Sequence, residues 1–321
     1  MNGYWAAALA VVIWAAYPVA TRAAVTGTFA PEELVTLRFG VGALMFVPYF
    51  FLRWRQIGRA AWLKGVPLTL FHGAGMAALA IAGMQLAPAN HAAALGPGVS
   101  PAWVALLGFL MYAQRPSRRA VVGAALCVGG VVLLAAWSAA ERNLSMLAGD
   151  VMFLAASALA ALYVLQLRRW QLAAMEGAAL VSLYSAIVVV PLYLWFAPGT
   201  LARVAPAELL WQVLWQGVLI GCVAVVALNH AISRLGAERS SALVALVPVL
   251  TAVLGLIFLG EVPSTAEMAA FVAISAGVSI GAARGRQPRA TPEGRQLEAP
   301  TRSVPPGGYP ARDSAPGTPI L

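Results

Sequence analysis

The stretch from Leu228 to Glu267, LNHAISRLGAERSSALVALVPVLTAVLGLIFLGEVPSTAE, decides the fold. From Ser240 to Gly260 it carries no charge. As a helix rising ~1.5 Å per residue this run covers about 30 Å, the thickness of a bilayer's hydrocarbon core. A complete transmembrane span is therefore predicted here. Arg234, Glu238 and Arg239 form the polar turn before it. Pro248 lies inside the apolar run, where its missing N–H predicts a kink. Ser264 and Glu267 have the Ser-x-x-Glu spacing in which each side chain satisfies the other's backbone N–H, so a further helix is expected to begin near Ser264.

Working outward, the whole chain has the same character. Its 321 residues are 61% hydrophobic and only 10% charged, too apolar for a water-soluble domain to hide, so a polytopic membrane protein is expected. The net charge of +9 forms no basic stripe with interleaved aromatics, which excludes nucleic acid as a partner. Uncharged runs separated by short polar breaks predict ten spans, near 4–21, 33–52, 66–86, 91–113, 120–137, 147–167, 177–196, 209–233, 240–260 and 268–283. The N-terminus, Met-Asn-Gly-Tyr-Trp, lacks the basic region of a cleaved signal peptide, so the first run is retained as a helix. Cys127 and Cys222 fall inside spans with no partner at metal or redox spacing and read as small buried hydrophobes.

Orientation follows from Lys and Arg. With the N-terminus inside, eleven basic residues fall in inner loops and only Arg22, Arg142 and Arg203 in outer ones. Both termini are then cytoplasmic. After Ala283 the sequence turns rich in Pro, Gly and Arg, and residues 284–321 are expected to be a disordered tail.

The halves repeat. At an offset of 146, Gly3, Tyr17 and Arg22 match Gly149, Tyr163 and Arg168; at 147, Pro101, Gly108, Gln114, Pro116, Ser117 and Gly130 match Pro248, Gly255, Glu261, Pro263, Ser264 and Gly277. Five spans per copy is an odd number, so the second copy enters the membrane from the opposite side. The expected units are residues 1–138 and 139–283, two inverted five-helix repeats.

This stretch closely resembles the second half of the EamA domain of the drug/metabolite transporter superfamily. The resemblance rests on the Leu235-Gly236 turn, on Pro248, and on the exit Leu259-Gly260-Glu261-Val262-Pro263. It extends over about residues 3 to 283 and implies a ten-helix transporter with a central cavity. By resemblance, the expected activity is export of small organic metabolites, amino acids with aromatic or other apolar side chains first, across a bacterial inner membrane. A broad drug efflux carrier and a non-transporting assembly or sensor protein are the alternatives. An enzyme would need convergent acid, base or metal groups at one depth, and the charge map offers none.

Several residues are candidates for the cavity. Gly96-Pro97-Gly98-Val99-Ser100-Pro101 breaks the fourth span, either to open carbonyls towards a cavity or to pack a kink. Arg38 lies about one and a half turns inside the second span, the only basic residue placed within one. It pairs with a carboxylate-bearing substrate or serves structurally, capping carbonyls or pairing with Glu32 or Glu33; both readings stay open. Trp14, Tyr17, Trp103, Tyr163 and Tyr184 present flat apolar faces with one polar handle, suited to amphipathic substrates as well as to core packing. Of the histidines, His72 between small residues is the cavity choice, His230 beside Asn229 is structural, and His91 opens the fourth span. None has metal-ligand spacing, so neither metal nor cofactor is expected.

The mechanism expected is alternating access, with hinges at Pro18, Pro101 and Pro248. No acidic residue falls near a span centre, which argues for uniport or exchange over proton coupling, with coupling through a histidine as the alternative. The Gly-rich fifth and tenth spans, at Gly123, Gly129, Gly130, Gly277 and Gly281, suit side-by-side packing and, beyond a monomer, a homodimer.

Overall fold

The computed structural model describes residues 2–197, 201–235, 243–244 and 246–282, all within one compact unit, Met1–Arg284. The tail 284–321 and the Gly236 half of the Leu235-Gly236 turn lie outside the described residues.

Among the described residues the structure is helical. Eight helices are long and apolar enough to cross a membrane. These are α1 (Gly3–Val25), α2 (Pro31–Arg53), α3 (Arg59–Leu86), α4 (Ala89–Tyr112), α5 (Arg118–Ala140), α6 (Leu144–Trp170), α7 (Ala174–Phe196) and α8 (Pro206–Leu235). Two shorter apolar helices follow, α9 (Val247–Leu259) and α10 (Thr265–Ala282). Their starts obey local chemistry. The side chains of Asn2, Ser117 and Asn143 cap α1, α5 and α6 by accepting from backbone N–H groups. Ser264 Oγ accepts from Glu267 N while the Glu267 carboxylate accepts from Ser264 N, the reciprocal cap expected at α10.

Three features differ from the sequence expectation. Of the span predicted over 240–260, residues 243–244 and Val247–Leu259 are described as helix; 240–242 and 245 lie outside the described residues. Pro248 therefore sits in the first turn of α9, where its missing N–H would be unpaired anyway, and does not kink a helix interior. Pro101 likewise stands in the first turn of the segment that resumes at Ser100, while Pro18 lies inside a continuous α1. Third, α3 is broken where the sequence suggested a continuous span: at Gly73 (ψ −149°) the helix stops and restarts, with Ser185 Oγ of α7 accepting from Ala74 N.

Small residues set the packing. Gly83 and Gly149 bring α3 against α6, where a Cβ on Gly83 would lie 2.7 Å from the Phe153 ring. The α5–α10 contact is closer still: a Cβ on Gly123 would lie 2.4 Å from the Gly277 carbonyl, and one on Gly277 2.6 Å from that of Gly123. Gly123, Gly130, Gly277 and Gly281 are thus occupied within the chain and are not free to build a dimer; Gly129 faces open space. The outer surface is apolar, with Trp5, Phe51, Trp195, Phe196 and Phe258 all strongly exposed, as lipid-facing positions require.

Candidate functional site

The helices alternate in direction, so the bundle has two ends. The starts of α4, α6 and α10 meet the ends of α1 and α3 at one of them. At the other, Gly3 packs on Arg234 and Leu235, and Gln166 Nε2 donates to Tyr112 Oη. Polar side chains collect in two places, the interior and the first end.

In the interior, Arg38 of α2 donates from Nη1 to Tyr17 Oη at 2.8 Å and lies over the Tyr17 ring at 5.3 Å. Among the described residues no ion pair joins Arg38 to Glu32 or Glu33; the Glu33 carboxylate instead accepts from Ala30 N at the start of its own helix. On the next helix, His72 stacks on Tyr163 of α6 with ring centroids 4.4 Å apart and planes 16° from parallel. The Nδ1 atom of His72 is buried without a hydrogen-bond partner. Four of the expected cavity residues, Tyr17, Arg38, His72 and Tyr163, thus form two neighbouring pairs on α1, α2, α3 and α6. Arg38 keeps donors for a carboxylate ligand, and the break at Gly73 sits beside His72.

Of the remaining expected residues, Trp14 and Trp103 share apolar clusters with these pairs. Trp14, like Tyr17, packs on the buried cluster of Ile13, Ile220 and Ala224. Trp103 packs against the main core with its Nε1 buried and unpartnered. Ser100 begins the helical segment after the widened turn Ala94–Gly98, where the Gly96 carbonyl accepts from Ser157 Oγ at 2.8 Å. Tyr184 stands edge-on to Trp62 and donates to its carbonyl at 3.1 Å. A lateral apolar groove of about 540 Å³ runs between α2 and α7, lined by Thr36, Gly40, Leu44, Ala186, Val190 and Pro191.

The second cluster went unread in the sequence. His91, with no exposed side-chain area, sits between Asp150 Oδ1 (2.7 Å from Nδ1) and Glu267 Oε1 (2.8 Å from Nε2). Ser138 Oγ donates to the other Asp150 oxygen at 3.2 Å. Beside it, Arg22 pairs with Glu261 and donates to the Met84 and Ala87 carbonyls at 2.5 and 2.7 Å, while the Glu261 Oε2 atom accepts from Ala89 N. Arg22, expected in an outer loop, is therefore half-buried, and the acids near span ends include three that are buried, Glu33, Asp150 and Glu267. The carboxylates approach opposite sides of the imidazole ring, so they cannot share a metal ion with it, and no metal-holding group of acids, His and Cys exists among the described residues.

Comparison with known proteins agrees with this architecture. A crystal structure of a protein 21% identical in sequence matches over 87% of this chain and 96% of that one, with a TM-score of 0.58, which shows a shared fold. The search of curated proteins gives no match. The EamA-like transporter family matches twice, over residues 1–136 and 147–281. A chain of apolar helices packed through small residues, matched by this family along most of its length, belongs to the EamA-like transporter family.

Proposed function

We propose that the protein exports small organic metabolites, amino acids with aromatic or apolar side chains first, by alternating access. In this reading α1 to α10 all span the bilayer as two inverted five-helix repeats, residues 1–138 and 139–283, around a central passage. Positive loops support a bacterial inner-membrane location with both termini in the cytoplasm. The observation that carries the reading is the interior pair of pairs: a guanidinium held by Tyr17 with donors to spare, beside a stacked His72–Tyr163 whose Nδ1 has no partner. A buried guanidinium is costly unless a counter-charge or water meets it, and an amino-acid carboxylate would supply that charge. Tyr163, Trp14, Trp103 and Tyr184 would offer flat faces to the side chain, with Ser100 a polar contact and Pro18, Pro101 and Pro248 the points of flexure. Transport would be uniport or exchange.

Uptake of labelled amino acids into liposomes containing the protein tests this. Phenylalanine, tyrosine and leucine should enter faster than into empty liposomes, and faster than the lipophilic cations that a broad efflux carrier takes. Arg38→Gln should lower the flux at least about tenfold, equivalent to roughly 1.4 kcal/mol. Flux equal to that of empty liposomes, or an Arg38→Gln chain as active as the native one, would overturn it.

A further inference from the structure

The His91 cluster ties three helices at one end of the bundle, and a proton count decides whether the tie holds. Both ring nitrogens face carboxylate oxygens. An ionised carboxylate only accepts hydrogen bonds, so both contacts form only if the ring donates from both nitrogens, as imidazolium. The other oxygens are already engaged: Asp150 Oδ2 by Ser138 Oγ, Glu267 Oε2 by the Ser264 N–H. Removing one proton turns a nitrogen lone pair towards a carboxylate, and one side of the clamp is lost.

The surroundings isolate this equilibrium. The Phe271 ring stands edge-on to His91 at 6.0 Å. Of the helices packed on the start of α4, α6 contributes Asp150 and α10 contributes Glu267. The end of α1 contributes Arg22, which is neutralised by Glu261 of the α9–α10 connection. The second segment of α3, Ala74–Leu86, and α9 bring no charged residue. His91 therefore feels two anions directly and one compensated pair beyond them.

We propose that His91, Asp150 and Glu267 form a proton-binding latch: the cluster binds one proton from the compartment on its side of the membrane and, while it is bound, locks that end shut. Opening the end separates α4 from α6 and α10 and releases the proton to the same side. By linkage the closed form binds the proton more tightly than the open one, so acid on that side favours closure and alkali favours opening. The proton is not carried across, because the cluster lies at one end only; the latch sets when the gate opens and supplies no driving force. This proposal rests on the alternating-access reading.

The test uses the full-length protein in nanodiscs, with Cys127 and Cys222 replaced by alanine and spin labels at Thr28 with Glu141, and at Thr28 with Val262, all exposed at that end. Electron–electron distance measurement over roughly pH 5 to 10 should show short distances in acid and a growing long-distance population in alkali. Asp150→Asn, which removes one anion, should move the midpoint down by about one pH unit or more. His91→Gln should abolish the pH response. Nitrogen-15 spectra of histidine-labelled protein, assigned with the same variant, should show His91 doubly protonated in the closed form. Distances that ignore pH, a His91→Gln chain with the native pH profile, or a singly protonated His91 would overturn the latch. If amino acids change the distances while pH does not, only the latch falls; if neither changes them, alternating access falls with it.

Discussion

The ends of α4 and α9 make the same turn twice. Gln114 N donates to the Gly108 carbonyl and Glu261 N to the Gly255 carbonyl, both at 3.2 Å. Between them Ala113 (φ 51°) and Gly260 (φ 66°) take up the left-handed conformation that ends a helix. These positions match at an offset of 147, so the backbone has been kept and the side chains have diverged. Glu261 is paired with Arg22 across the bundle; at the matched positions Gln114 is neutral and Arg168 is exposed. The positions matching Asp150 and Glu267, Tyr4 and Ala120, carry no carboxylate. Among the described residues the ion pairs lie at one end, while the other shows the Gln166–Tyr112 hydrogen bond and Arg169 over the Tyr112 ring. Matched backbones thus carry unequal charges at the two ends.

The sharpest way to break this comparison is Glu267→Ala. It leaves His91 enclosed with a single carboxylate and uncaps α10, and should cost about 3–5 kcal/mol in detergent unfolding measurements. Ala120→Val, at the matched place, should stay within about 0.5 kcal/mol. Next comes Arg22→Gln, which removes the Glu261 pair and two carbonyl contacts; about 1–3 kcal/mol should be lost. Arg168→Gln on the exposed turn should change stability by less than about 0.5 kcal/mol. If the two arginine variants lose equal stability, the asymmetry of the ends is wrong. The smallest effect separates the two turns themselves. Gly260→Ala should cost about 1 kcal/mol by forcing a Cβ into the left-handed region, and Ala113→Gly should gain up to about 1 kcal/mol by relieving it. Thermal unfolding of the two variants in parallel reads both signs.

Much of the scaffold was legible because it is written locally. Uncharged runs marked the helices, the Ser264–Glu267 spacing marked the start of α10, and the leucine-glycine-glutamate exit marked a turn that Gly260 indeed makes with positive φ. The interior pairs were half legible. Arg38, Tyr17, His72 and Tyr163 could be chosen by type, but not that Arg38 would bond Tyr17 while Tyr184 turned to Trp62. The His91 cluster was hidden because its members lie 59 and 176 residues apart in sequence from the histidine. No periodicity joins such positions. Glu267 was further disguised by its own motif: a glutamate explained as a helix cap invites no second role, yet its other oxygen holds the imidazole. The break in α3 left a trace, two glycines flanking Ala74, which a composition of many glycines made easy to pass over.

That double use of Glu267 links a local winding equilibrium to a distant docking event. One oxygen closes the first turn of α10 and the other grips α4, so a carboxylate pulled away from the imidazole also loosens the turn it fastens. Rupture at the interface and fraying of the helix then proceed as one motion, and whatever tightens the coil at Ser264 raises the barrier to parting the helices.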